Sequence, residues 1–194
     1  MPIKKYTADA DNTIVNAFQP NLKTRGTGAN TGMADVIETY SIYGRVASGS
    51  QELSRILIKF PTNSISSDRS AGNIPASGAV NFYLRVYNAP TSKTVPRDID
   101  ITVHAVSQSW QEGVGLDLEN YKDVTDGNAG SNWMSASNTA FWTDINNTLL
   151  AGGSYHTQSV ANADVNTEIH IFKQRLESGL EDLEINVTPL VEQW

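Results

Sequence analysis

Acidic side chains crowd one short segment of the sequence. Twelve consecutive residues hold four carboxylates and an amide beside Gly127, namely Asp117, Glu119, Asp123, Asp126 and Asn128. Oxygen-rich loops of this kind suit Ca²⁺, which takes about six to eight oxygen ligands. The EF-hand order D-x-[DN]-x-[DN]-G is absent, however, and this favours a solvated acidic loop. We therefore predict no cofactor and keep a structural calcium ion as the alternative, with Asp9 and Asp11 as a weaker second candidate.

Histidines are the next residues that could do chemistry. His104, His156 and His170 are the three in the chain, and none occurs in the H-x-x-H or H-E-x-x-H spacing that directs two imidazoles to one metal. The G-x-S-x-G and P-loop patterns are absent, and there is no cysteine for a thiolate nucleophile or a disulfide. The sequence therefore predicts a protein that is not an enzyme.

Aromatic residues offer a binding chemistry instead. Tyr83 and Tyr87 fall on the outer face of a predicted strand, while Trp133 and Trp142 lie in a long loop. Exposed rings stack on sugars, and they also anchor protein–protein interfaces. We assign Tyr83 and Tyr87 to a candidate sugar-binding surface; the two tryptophans fit either role. The candidate partner interface consists of Leu116, Trp133, Met134, Phe141 and Trp142.

Period-two alternation of apolar residues predicts the strands that position these side chains. The clearest strands are 53–60, 79–88, 99–107 and 183–187, and weaker ones are 3–8, 35–43 and 167–173. Their inner faces form a predicted core between two sheets, made of Ile56, Ile58, Phe60, Val80, Phe82, Leu84, Val86, Ile101, Val103, Leu183, Ile185 and Val187. Thr188 and Pro189 predict a helix start, with Thr188 as its N-cap.

Long polar connections separate the predicted strands. Gly, Pro, Ser and Asn clusters at 26–32, 64–78 and 127–132 are typical of turns and loops. The stretch 113–165 has no convincing strand and is too long for a bare connection inside a compact domain. We expect it to be an elaborated loop or a contact arm that carries much of the intersubunit contact.

Composition limits the class of protein. Ser, Thr and Asn make up 52 of 194 residues, which disfavours long helices and therefore a helix bundle. The net charge of −7 disfavours nucleic acid as a partner. No apolar run reaches the roughly 18 residues that a membrane helix needs, and no signal peptide is recognisable. Many short strands with polar loops predict one all-β domain over 1–194, an antiparallel jelly-roll-like β-sandwich with very little helix.

Several segments, in order, resemble a known family. The opening Y-T-A-D-A-D-N-T-I at 6–14 resembles the A-D-A-D-T-x-V start of the DNRLRE-type β-sandwich, which is similar to family 96 carbohydrate-binding modules. The 53–60 and 80–88 strands resemble its R-x-L-I-x-F and a-x-L-x-L-x-v strands. The segments 101–113 and 183–194 resemble its I-x-V-x-x-V-x-x-x-W-x-E and l-d-V-T-x-x-V-x-x-W elements.

The amino-acid sequences of two segments are similar to those of virion proteins in particular. M-P-I-K-K-Y at 1–6 and S-W-Q-E-G-V-G-L-D at 109–117 look like structural proteins of large contractile-tailed phages of marine bacteria and cyanobacteria. The resemblance implies a component of the neck, tail or baseplate, or a head decoration. Its partners would be other virion proteins and further copies of this chain in a symmetric oligomer. The particle would assemble in the host cytoplasm, and the chain would then be part of the virion. The alternative is a carbohydrate-binding module or a tail-associated receptor-binding domain that takes a host-surface glycan.

The C-terminal end departs from the family pattern. In the family, further strands follow the V-x-x-W element, whereas this sequence stops at Trp194. A sandwich that lacks its last strands would expose an open sheet edge. We therefore expect either more polypeptide after Trp194 or a strand from a partner, and we expect residues 1–194 alone to be poorly soluble or oligomeric.

Overall fold

A computed structural model of the chain describes residues 3–43, 51–92, 94–116, 129–157 and 171–193. The chain forms two compact units, each built from separate stretches, where the sequence predicts one domain. Unit 1 comprises Met1–Lys4, Thr62–Ala105 and Tyr155–Trp194, and unit 2 comprises Lys5–Pro61 and Val106–Ser154. Among the described residues, strands dominate and helices are few and short, so the expectation of a β-rich chain is confirmed.

Unit 2 is built on a three-stranded antiparallel sheet. Its strands are β1 (Ala10–Val15), β2 (Ser41–Tyr43) and β3 (Gln51–Lys59), in the order β1-β3-β2. Ala10 lies opposite Lys59, and Ser41 lies opposite Leu53. The predicted strand 53–60 is therefore confirmed, whereas the first strand begins at Ala10 and not within 3–8.

The chain from 133 to 142 covers one face of this sheet, and the core of unit 2 lies between them. The buried cluster consists of Ile14, Leu57, Trp133, Ala136 and Trp142. Placing Ile56, Ile58 and Phe60 on the core face of β3 was wrong, because the buried residue is Leu57 and these three are only half-buried. The strand has apolar residues at both odd and even positions, so alternation alone does not decide which face is inward.

In its described residues, unit 1 holds two antiparallel strand pairs and two helices. Helix α1 (Thr62–Ser70) is followed by β4 (Tyr83–Val86) and β5 (Ile99–His104). After them come β6 (Ile171–Leu176), β7 (Leu183–Asn186) and the short helix α2 (Thr188–Val191). β4 pairs with β7, and β5 pairs with β6.

The predicted alternation is confirmed in this unit. Phe82, Leu84 and Val86 are more covered than the residues between them, and Ile101 and Val103 follow the same pattern. Of the core residues predicted in this unit, Ile185 and Val187 are buried, whereas the others are only half-buried, namely Val80, Phe82, Leu84, Val86, Ile101, Val103 and Leu183.

Two local expectations in unit 1 need correction. Residues 64–78 were expected to be loop, but α1 occupies their first half and ends before Gly72, whose left-handed φ of 73° stops a helix. α2 does begin at Thr188 with Pro189 in its first turn, but no side chain caps it. The Thr188 hydroxyl accepts the backbone N–H of Phe82 (2.7 Å) instead, and so joins α2 to the start of β4.

The remaining weak strands are shorter than predicted. The segment 35–43 contributes only β2, at its end. The segment 167–173 begins outside the described residues, and its last part belongs to β6.

Candidate functional site

The predicted sugar-binding tyrosines lie on the exposed face of the β4–β7 pair. Tyr83 and Tyr87 have exposed fractions of 52% and 66%, while Leu84 and Val86 point to the opposite, covered side. Tyr83 is the first residue of β4 and Tyr87 directly follows its last, so at about 3.3 Å of rise per residue the two positions are about 13 Å apart. Two separate ring surfaces are therefore available along this face.

Polar side chains surround the two rings. Arg85 lies between the tyrosines and forms an ion pair with Glu184 across the sheet (2.8 Å). Its guanidinium also lies 5.9 Å from the centre of the Tyr87 ring. Asn186 lies opposite Tyr83 and is exposed. We call this set of five residues the tyrosine face: Tyr83, Arg85, Tyr87, Glu184 and Asn186.

The tyrosine face can bind a ligand that has both apolar and hydroxyl surfaces. Tyrosine rings stack on flat apolar faces such as those of pyranose rings. The Arg85 guanidinium donates hydrogen bonds, while the Glu184 carboxylate accepts them. This combination of rings, donors and acceptors has the chemistry that sugar recognition requires.

Trp133 and Trp142, predicted as partner anchors, lie instead inside unit 2. Trp142 has an exposed fraction of 0%, and its indole N–H donates to the carbonyl of Asn132 (2.8 Å). The Arg55 guanidinium lies 4.9 Å from the centre of the Trp133 ring and donates to the carbonyl of Gly152. Assigning the tryptophans to an interface was therefore wrong. The apolar face of the β1–β3 pair needs a cover, and this loop supplies it from its own chain.

The other predicted interface residues are on the surface. Leu116, Met134 and Phe141 are all exposed, so their role in partner binding stays a prediction. Ile145 and Leu149, which no sequence pattern singles out, are also exposed in the same loop. An isoleucine and a leucine in a polar loop give no alternation, so only their position in the structure singles them out.

Two buried asparagines hold the chain on either side of the acidic segment. The Asn30 side chain accepts the N–H of Gly115 (2.9 Å) and donates to the carbonyl of Ala129 (2.7 Å). Asn12 donates to the carbonyl of Ser131 (2.9 Å) and accepts the N–H of Thr31. Buried amides of this kind fix the position of the chain segments that they contact, because a buried amide without its hydrogen bonds would destabilise the fold. Nothing in the sequence distinguishes these two from the other fifteen asparagines.

Leu116 is positioned by this network. A Cβ atom on Gly113 would collide with the side chain of Asn30, and one on Gly115 would collide with the Asn30 carbonyl. Two glycines are therefore required where the chain passes Asn30, directly before Leu116. The N–H of Met33 donates to the carbonyl of Gly115 (2.9 Å) and brings a second exposed apolar residue next to Leu116.

The calcium candidates Asp117, Glu119, Asp123 and Asp126 lie outside the described residues. Among the residues that are described, no three His, Cys, Asp or Glu side chains converge. Asp11 is close to Glu112, whose carboxylate accepts the Asp11 N–H (2.9 Å). Burial, and then the negative charge of Glu112, raise the pKa of Asp11.

The two described histidines have structural contacts. Nδ1 of His104 lies 2.9 Å from the carbonyl of His156, and its ring packs against Tyr155 at 4.9 Å between ring centres. Neither contact joins a histidine to a serine or a carboxylate. His170 lies outside the described residues.

Comparison of the chain with protein-family models, curated proteins and solved structures gives no match. In the described part of the chain, no helix has the length and apolar character to cross a membrane.

Proposed function

We propose that the chain is a non-enzymatic structural component of a bacteriophage particle and acts through protein–protein contacts. The observation that carries this proposal is the distribution of exposed apolar side chains. Among the described residues, thirteen large hydrophobic side chains are exposed, and nine of them belong to unit 2: Leu22, Met33, Val36, Ile42, Leu116, Met134, Phe141, Ile145 and Leu149. Covering these side chains with another protein would remove their apolar surface from water, which favours association.

The sequence supports the part of the proposal that places the chain in a phage particle. The segments at 1–6 and 109–117 resemble virion structural proteins of contractile-tailed phages, and the order of the other segments resembles a β-sandwich family. Part of the proposal is that the strands of this chain make up a jelly-roll-like sandwich. The antiparallel pairing within both units supports this topology.

Purified particles test the proposal. We expect peptides of this chain in density-purified virions, at a copy number that is a multiple of the particle's local symmetry. Antibody labelling in electron microscopy would then place it at the neck, tail, baseplate or head. Recovery of the chain from infected cells or medium, with none in the particles, would contradict the proposal.

A second candidate function is glycan binding, and the tyrosine face favours it. Two exposed tyrosines, at backbone positions about 13 Å apart, flank a guanidinium and a carboxylate. The chain would then be a carbohydrate-binding module or the receptor-binding domain of a phage tail.

An array of neutral, amino and uronic-acid oligosaccharides tests this candidate. We expect binding to fall at least about tenfold in the double variant Tyr83→Ala and Tyr87→Ala, since stacking anchors carry most of the affinity. Leu22→Ala, at an exposed leucine of unit 2, is the matched control, because the tyrosine face belongs to unit 1. Equal binding by both variants, or no binding by the unaltered chain, would eliminate the candidate.

A further inference from the structure

A tight hairpin projects from the loop that covers the unit 2 core. Thr143 and Leu149 form an antiparallel bridge, and the Asp144 N–H donates to the carbonyl of Thr148 (2.9 Å). At its base, the Leu150 N–H donates to the carbonyl of buried Trp142 (2.8 Å). We call residues 141–149 the 141–149 hairpin.

The tip of this hairpin is held by its own hydrogen bonds. The Asp144 carboxylate accepts the N–H groups of Asn146 and Thr148, both at 2.8 Å. Asn147 takes the left-handed conformation that closes the turn, with φ of 61°. The hydrogen bonds from Thr148 and Asn146 also lower the pKa of Asp144, so this residue is charged at neutral pH.

The hairpin presents apolar side chains to solvent. Ile145 at the tip is 97% exposed, and Phe141 and Leu149 are exposed beside it. Isoleucine is among the residue types most often buried, and here it lies on a turn that its own hydrogen bonds hold in place. Because the turn is already ordered and its base is fixed by Trp142, docking would need little loss of conformational entropy.

Charge indicates what kind of partner fits. From 129 to 154 the sequence has no lysine or arginine, and its one charged residue is Asp144. The whole chain has a net charge of −7, so a second copy would bring charge of the same sign. A partner surface with lysine or arginine around an apolar pocket complements both the exposed apolar side chains of the hairpin and the negative charge of the chain.

We propose that the 141–149 hairpin inserts Ile145 into an apolar pocket, rimmed by lysine or arginine side chains, on a protein other than this chain. The inference rests on the proposed function, because it names the surface through which the chain would attach. The hairpin is the anchor, and Phe141 and Leu149 fill the edge of the pocket.

Photo-crosslinking tests the inference in the infected cells where the chain is made. Photoreactive p-benzoylphenylalanine replaces Ile145 in the full chain, and it replaces exposed Leu180 in the control. We expect position 145 alone to yield an adduct with another protein, on a peptide with lysine or arginine near the linkage. No adduct above that of the control, or an adduct with lipid, a second copy or a peptide without basic residues, would overturn the inference.

Affinity for the crosslinked protein gives the second measurement. We expect Ile145→Lys to weaken binding at least about tenfold, and Leu180→Lys to leave it unchanged. Rising salt should weaken the complex of the unaltered chain. Equal affinities of the two variants would overturn the inference. If the adduct forms but particles lack the chain, the proposed function fails while the inference stands.

Discussion

Phe141 and Trp142 are neighbours in sequence with opposite surroundings. Phe141 is exposed on the 141–149 hairpin, whereas Trp142 is completely buried against residues of β1 and β3. A single position of the chain therefore separates a side chain that is available to a partner from one that holds the unit together.

Replacement of these two residues should have very different effects on stability. We expect Trp142→Ala to lower the free energy of unfolding by about 3–5 kcal/mol, through lost burial and the cavity left behind. Phe141→Ala should change it by less than about 0.5 kcal/mol. Urea denaturation measures both.

A milder variant keeps this prediction testable if Trp142→Ala does not fold. Trp142→Phe removes the hydrogen bond to Asn132 and part of the ring, so its loss of stability should be intermediate. Equal losses for positions 141 and 142 would show that Trp142 is not part of the core.

At the scale of elements, an ion pair joins the two helices of unit 1. Arg69 of α1 lies 2.5 Å from the carboxylate of Glu192, directly after α2, and Ser77 donates to the same carboxylate. Burial acts to raise the pKa of Glu192, but the hydrogen bonds from Ser77 and Arg69 outweigh it, and the pKa lies below the ordinary value of 4.5. Tertiary contacts of this kind explain how a serine-rich segment becomes helical.

This pair predicts a pH dependence of stability. A carboxylate whose pKa is lowered by folding stabilises the folded state above its unfolded pKa, and the contribution is lost as pH falls through the folded pKa. We therefore expect Glu192→Gln to lower Tm at pH 7, and the difference from the unaltered chain to shrink below about pH 4.5.

Glu184→Gln is the matched control for that measurement. Its ion pair with Arg85 has both side chains about half exposed, and such surface pairs contribute little. Calorimetry between pH 3 and 7 gives the Tm values. A difference for Glu192→Gln that stays constant over this range would contradict the prediction.

The elements differ in how far sequence could predict them. β4, β5 and β7 alternate cleanly, so their faces and the outer position of Tyr83 and Tyr87 followed from the period of two. β3 has apolar residues at both odd and even positions, so the face that turns inward depends on which side is covered by the loop with Trp133 and Trp142, here called the tryptophan loop. The loop itself was misjudged, because its length suggested an arm for a partner when it is needed to close its own core.

At the scale of the whole molecule, neither unit is a continuous stretch of sequence. Unit 2 needs β1 and β3 from before position 61 and the tryptophan loop from after position 106. Unit 1 likewise pairs β4 and β5 with strands that lie some 70 to 100 residues further on. Long-range pairings, and not local preferences, therefore decide the fold.

Two fragments divided between Ala105 and Val106 should consequently fold only together. All four tryptophans lie in the second fragment, 106–194, so its fluorescence reports the association. We expect its emission to shift to the blue when fragment 1–105 is added, because Trp133 and Trp142 become buried. Ile14→Asp in the first fragment, which puts a charge into the core, should abolish the shift. A second fragment that emits like the intact chain by itself would contradict the prediction.

The interleaved order of the two units has a consequence for synthesis on the ribosome. β3 ends at Lys59, but the ring that covers it, Trp142, is added 83 residues later, about 4–17 s at about 5–20 residues per second. β4 stays unpaired for longer still, because its partner strand β7 is complete only 100 residues after β4 ends. Throughout this interval the nascent chain carries apolar strands with no partner, which is the state that aggregates or recruits chaperones. Nascent chains that end between residues 60 and 142 should therefore be the form of this protein that chaperones hold.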